Sequence, residues 1–153
     1  MAYNTIAVIS EGSVQKEALA SGSITPGHLL EQTTAAADTV KVHATAGGHA
    51  QSAFAVEDDL QGNTIDDAYA SGKRVLYKVF RPGDEVYALI ANGENISKGD
   101  MLMSAGDGTL KEATGDSSGT IVEPHIVGYA REACDMSDSS GADPSGRCLV
   151  EIC

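Results

Sequence analysis

The sequence has no tryptophan, only two phenylalanines and five tyrosines, so aromatics make up 5% of its 153 residues. A core must therefore come from Val, Ile, Leu and Ala, which the 42% hydrophobic content permits. Bases are scarce as well, 10 against 22 acids, for a net charge of −12. Neutralising phosphates takes clustered Lys and Arg, so this balance argues against a nucleic-acid partner. The same charge disfavours an anionic membrane surface, and no apolar run approaches the roughly 20 residues that span a bilayer. The first residues (MAYNTIAVISEG) lack a basic segment followed by a long apolar one, so no secretion signal is expected. At 15.8 kDa the chain fits one domain and is too short for a two-domain dinucleotide enzyme or an α/β barrel. Three cysteines (Cys134, Cys148, Cys153) form no CxxC pair, and four histidines are scattered. No Cys/His spacing matches a zinc site, so the thiols read as reduced and neither metal nor cofactor is expected.

The charge that is present is unevenly placed. Residues 57–67 carry Glu57, Asp58, Asp59, Asp66 and Asp67 and no base, and Lys73, Arg74, Lys78 and Arg81 follow closely. A solvated acidic turn beside an ordinary strand accounts for this. Contact between repeating subunits accounts for it too, with Asp58, Asp59, Asp66 and Asp67 meeting Arg74 and Arg81 of a neighbour.

What the sequence has in abundance is β punctuation. Seventeen glycines and the turn signals Pro26-Gly27, Asn92-Gly93 and Asp107-Gly108 separate short apolar runs. Residues 75–80 and 85–91 are rich in β-branched and aromatic residues and are joined by Pro82-Gly83-Asp84, which predicts a hairpin. The second run is nearly all apolar and is expected to be buried on both faces. Residues 101–103 and 109–111 flank Ala105-Gly106-Asp107-Gly108 as a second hairpin. Further strands are expected at residues 6–9, 40–42, 121–122 and 126–130, with Pro124 marking an edge or bulge. In the last residues Cys148, Val150 and Ile152 share one face, and Arg147 and Glu151 take the other. Residues 13–20 suit helix or strand equally, and residues 31–53 suggest loops around the weak strand at 40–42. Thr64 can N-cap a helix of about two turns, with Asp66 and Asp67 in its first turn and Gly72 past its end. The fold class is thus mainly β, a compact barrel or sandwich-like domain over residues 21–153. Residues 1–20 are expected as an extended N-terminal arm, and there are at most one or two short helices.

Motifs that suggest an enzyme do not hold together. Residues 115–119 satisfy G-x-S-x-G, but a nucleophile elbow needs a buried strand before the serine and a helix after it. Here Lys-Glu-Ala-Thr precedes it and a β-like Thr-Ile-Val follows, and His125 is the only downstream histidine. The loop also resembles the Gly-Asp-Ser-Gly-Gly of chymotrypsin-like proteases, whose double barrel this chain is too short to build. Asp58-Asp59-Leu60-Gln61-Gly62 lacks the alternating oxygens of an EF-hand. Asn95-Ile96-Ser97 is a formal glycosylation sequon without an expected secretory route. No catalytic residue is assigned.

Two stretches, in order, carry a resemblance. The first is Ile24-Thr25-Pro26-Gly27-His28-Leu29-Leu30-Glu31, followed by Val42 to Gly48, Phe54 to Gly62 and Ile65 to Tyr69. The second is Arg81 to Ala91, Ile96 to Asp100 and Ser104 to Leu110. Together they resemble the head-decoration (cement) proteins of tailed double-stranded DNA phages, over about residues 20–112. The run from Phe54 to Tyr69 is the most specific part. Residues 126–130 and the terminal strand are a weaker echo, and residues 114–124 and 134–146 show no likeness.

The resemblance implies a non-enzymatic, β-rich virion protein on the outer surface of the capsid, made in the host cytoplasm. Its partners would be the major capsid protein and itself, as a homotrimer at threefold and quasi-threefold positions, with no nucleic acid or membrane. It would clamp adjacent capsid subunits against the pressure of packaged DNA. The N-terminal segment Ala2 to Ile9 would add a strand to, or lie along, a capsid-protein edge, with Ala2, Tyr3, Asn4, Thr5 and Ile6 as candidate capsid contacts. Asp66, Asp67, Arg74 and Arg81 are the candidate contacts between copies. An acidic exterior keeps particles apart, although a saline habitat would select the same charge. The alternatives are a minor tail or fibre-associated domain or a host-surface-binding β-domain, a small hydrolase using the serine loop, and a cation-binding scaffold using the acids of residues 57–67.

Overall fold

Short β-branched and aromatic runs, cut by Gly, Pro, Asn and Asp, form thirteen strands in the computed structural model, which describes residues 2–115, 118–122, 125–137 and 146–153. One sheet has six strands in the order β1 (Ala7–Ile9), β7 (Glu85–Leu89), β13 (Arg147–Ile152), β11 (Ile126–Ala130), β9 (Met101–Ser104) and β10 (Leu110–Glu112). A second has five, in the order β3 (Leu30–Gln32), β4 (Thr39–Val42), β2 (Val14–Ala20), β6 (Arg74–Val79) and β5 (Ala53–Ala55). A two-stranded ribbon joins β12 (Cys134–Asp135) to β8 (Asn95–Ile96). Among these strands pairing is antiparallel except between β2 and β4, and the bridge from Ile90 to Leu110 is also parallel. Each large sheet curls on itself: Ile90 bridges to Leu110 in the first, and Leu29 bridges to Phe54 in the second. The molecule is mainly β and sandwich-like, as its composition and turn spacing predict.

Two apolar clusters hold the layers. One gathers Ile6, Leu29, Phe54, Phe80, Val86, Ile90, Leu102, Leu110 and Val150, with Phe54 and Phe80 edge to face at 5.9 Å. The other fills the five-stranded sheet with small and β-branched residues, among them Ala18, Ala20, Ile24, Val40, Val75 and Tyr77. Burial of aliphatic surface at roughly 25 cal/mol per Å² is the main stabilising term, which explains how the fold manages without tryptophan.

The β9–β10 hairpin forms as expected, with Leu110 opposite Ser104. Residues 75–80 and 85–91 also form strands, but they do not pair with each other. β6 lies in the five-stranded sheet and β7 in the six-stranded one, and the Pro82-Gly83 turn is a corner between them. Asp84, only 4% exposed, holds that corner. Its carboxylate accepts the backbone N–H of Arg81 at 3.0 Å and of Gly12 at 3.1 Å, so the chain is turned away before a hairpin can close.

Other expectations are corrected. No helix starts at Thr64. Its N–H and hydroxyl both donate to the Asp67 carboxylate, at 2.7 and 3.1 Å, closing a turn over residues 64–67 that is not extended. The helical residues among those described are the 3-10 turn Asp59–Gln61 and the 3-10 residue His125. Residues 14–20 are strand, and residues 31–53 supply three strand segments because β3 and β5 flank the expected β4. Ile121 and Val122 are exposed and outside any strand. Pro124 and Ser117 lie outside the described residues, as does most of the loop expected at 137–146. Within the 1–20 segment, β1 pairs with β7 and β2 lies inside the second sheet.

A candidate partner-binding groove

The N-terminal residues do not stand off the body of the protein. Ile6 is fully buried; its N–H donates to the Glu57 carboxylate at 3.1 Å, and its carbonyl accepts the Tyr87 N–H at 2.8 Å. Tyr3 stacks edge to face on Tyr87 at 5.3 Å. Ala2, Tyr3, Asn4 and Thr5 therefore lie along one wall of a groove of about 700 Å³, and Glu57, Asp59, Asn63, Thr64, Ile65 and Asp66 form the other. Tyr87 and Arg147 lie between the walls.

Arg147 is the joint of this site. Its side chain is 2% exposed, although it occupies a strand position that alternation assigns to the outer face. One guanidinium nitrogen donates to the carbonyls of Ile65 at 2.6 Å and Pro26 at 3.1 Å, and another to the Asp66 carboxylate at 3.0 Å. A buried guanidinium needs such partners because its planar fork of donors is costly to desolvate unpaired. Gly27 makes room for it. At φ +96° a side chain is disfavoured, and a Cβ there would stand 3.2 Å from Arg147 Nε. The acidic wall is shaped locally: Asp58 leads into the 3-10 turn, left-handed Gly62 ends it, and the Thr64–Asp67 turn follows. Those two Thr64 donors hold the Asp67 carboxyl below its usual range. Burial, and then the Glu132 carboxylate, push the Tyr87 phenol up.

Sequence reasoning selected nine contact residues. Ala2, Tyr3, Asn4 and Thr5 meet Asp66 at the groove, with Ile6 buried as their anchor. Asp67 is exposed in the adjoining turn. Arg74 is elsewhere, exposed on β6 and 3.3 Å from Glu17, and Arg81 is exposed at the Asp84 corner. Arg147 and Tyr87 were missed. An arginine inside the apolar run RCLVEI is the available signal, although strand alternation assigns it to the outer face.

The groove walls offer hydrogen-bonding groups, acids and a tyrosine face, which suit an extended or basic partner segment. The residue types of a catalytic triad do meet elsewhere, at Ser104, His43 and Glu31. His43 Nδ1 lies 2.7 Å from Ser104 Oγ, and Nε2 lies 3.7 Å from Glu31. Ser104 is completely buried and its Oγ already accepts the Gly106 N–H at 3.1 Å, so the group ties β9 to the chain around His43. In the serine loop, Ser118 is exposed with its Oγ 3.1 Å from Thr120 Oγ1. No helix is long and apolar enough to cross a membrane among the described residues.

No protein-family model and no curated protein matches the chain. Among solved structures it is similar to the N base of the head fibre gp8.5 of bacteriophage phi29, with 18% identity and a TM-score of 0.57. The similarity covers 92% of this chain and 94% of that one. At this identity the likeness establishes the mainly β fold over nearly the whole chain.

Proposed function

We propose that this chain is a non-enzymatic structural protein of a phage head, a decoration protein that binds the outer capsid surface and clamps adjacent major capsid proteins. The observation that carries the reading is the likeness in fold, over almost the full length, to the base of a phage head fibre. The groove supports it. Leu60 is 94% exposed on the Asp59–Gln61 turn, between groove residues Asp59 and Asn63, and an apolar side chain left so open gains by burial in a partner. The edge strand β1, bonded to β7 on one side, and the exposed Ala2 and Asn4 lie next to the same groove.

The protein would act passively. Affinity for the expanded lattice alone lowers that state's free energy, and many copies sum small contacts. Copies would meet as a homotrimer, with Asp58, Asp59 and Asp67 facing Arg74 and Arg81 of a neighbour. Asp66 is engaged by Arg147 and Arg74 by Glu17 within the chain, so these two contribute less to such a contact. A second reading rests on the same likeness: the chain is the foot of a fibre, present in few copies per particle.

Mixing the purified chain with expanded, undecorated heads separates these readings. Near-stoichiometric co-sedimentation of a species with the mass of three chains is expected, and Leu60→Asp should reduce occupancy at least tenfold. Occupancy of a few sites per head would favour the fibre reading. A monomer that ignores heads would sink both.

A further inference from the structure

Beyond the partner surface, the fold brings together two thiols and a carboxylate that lie far apart in any spacing rule. Cys134 on β12, Cys148 on β13 and Glu132 in the turn before β12 place one donor atom each within 4.8 Å of one another. We propose that these three residues bind a thiophilic divalent cation of the zinc class. Two sulfurs on a tetrahedral ion sit about 3.8 Å apart, given metal–sulfur bonds of about 2.3 Å, which falls within the 4.8 Å span of these donor atoms. Cys148 is completely buried, whereas Cys134 and Glu132 are half-buried, which leaves the ion a solvent-facing fourth position for water.

The surroundings are already arranged for ligation. The Leu149 N–H donates to Glu132 Oε1 at 3.0 Å and orients the carboxylate, a role that outer hydrogen bonds play at metal sites. The Cys148 thiol is 3.5 Å from the Glu132 carbonyl and the Cys134 thiol 3.6 Å from the Arg147 carbonyl, so both sulfurs are held near the backbone of the opposing segment. Binding exchanges these weak S–H donors for metal bonds. One cation replaces two thiol protons, which leave to solvent, and no electron moves. The bound ion would clip the 132–135 segment to β13 beside Arg147, stiffening the strand that floors the groove.

Cobalt titration of the reduced, full-length chain tests the site. The expected result is one equivalent bound, with tetrahedral visible bands, a thiolate charge-transfer band and release of two protons. Zinc should compete it away and raise the melting temperature. Cys134→Ser should abolish the bands. Glu132→Gln keeps an acceptor for Leu149 but removes the charged ligand, and should weaken cobalt binding while the thiolate band survives at saturating cobalt. Cys153→Ser, at the exposed terminus, should change nothing. Absence of thiolate bands in the reduced wild-type chain would overturn the proposal, as would bands that survive Cys134→Ser. Recovery of a Cys134–Cys148 disulfide, with no cobalt uptake after reduction, would equally overturn it.

Discussion

Arg147 shows how one residue can organise a surface. It satisfies two carbonyls and a carboxylate from segments 81 to 121 positions away, so its loss takes the donor from the Pro26 and Ile65 carbonyls. Arg147→Met should therefore lower unfolding stability, by about 1–3 kcal/mol for a buried acceptor left without its donor. Asp66→Asn keeps an acceptor at the exposed end and should cost about 1 kcal/mol. Shifts in denaturant midpoint at constant slope check both. Tyr69 offers a pH readout. Its hydroxyl donates to the Val56 carbonyl at 2.6 Å, and burial pushes its pKa up to about 12. The folded state thus keeps this proton to higher pH than the unfolded chain. Its contribution is complete below pH 10 and lost as pH climbs through about 12. Tyr69→Phe should remove the latest phase of tyrosinate absorbance in an alkaline titration and flatten the fall in stability.

Among elements, β1 connects the fold to the groove. The sequence suggests an N-terminal arm, but Ile6 is in the core and Ala7–Ile9 pairs with β7. Deleting residues 2–9 would therefore remove a buried isoleucine and an edge strand, at about 2–5 kcal/mol for the side chain alone. Deleting residues 2–5 removes only the groove wall and the Tyr3–Tyr87 contact, worth about 1 kcal/mol. Thermal melts should show a large drop for the first deletion and a small one for the second, and only the shorter deletion can isolate head binding. The β11–β13 pair has a similar constraint at Gly128, where a Cβ would stand 2.3 Å from the Glu151 carbonyl oxygen. The register shift in β11 between Ile126 and Gly128 lies at the same place.

At the scale of the molecule, two curled sheets share a mostly aliphatic core and an acidic exterior. A charge of −12 on each copy opposes close association at low salt, so any trimer contact must overcome repulsion. If Asp58, Asp59 and Asp67 pair with Arg74 and Arg81 of a neighbour, light scattering should show the trimer fraction falling as salt is added at fixed concentration, because exposed charges are screened beyond a Debye length of about 10 Å at 0.1 M. A trimer fraction that rises with salt would show that relief of the overall repulsion, and not this pairing, governs association.

Much of the strand content is legible locally. Alternation and Gly, Asn and Asp turns mark β7, β9, β10, β11 and β13, because side-chain period and turn chemistry depend on neighbours in the chain. Which strand pairs with which is not local. A buried Asp84 converts an apparent hairpin into a corner between sheets, and a side-chain turn at Thr64–Asp67 takes the place of a helix. The groove, the burial of Arg147 and the meeting of Glu132, Cys134 and Cys148 all arise from long-range register. Each depends on segments whose proximity is set by the core rather than by sequence spacing. Composition and pattern determined that this is an acidic, aliphatic-cored β protein; only the tertiary structure decided where its surface chemistry converges.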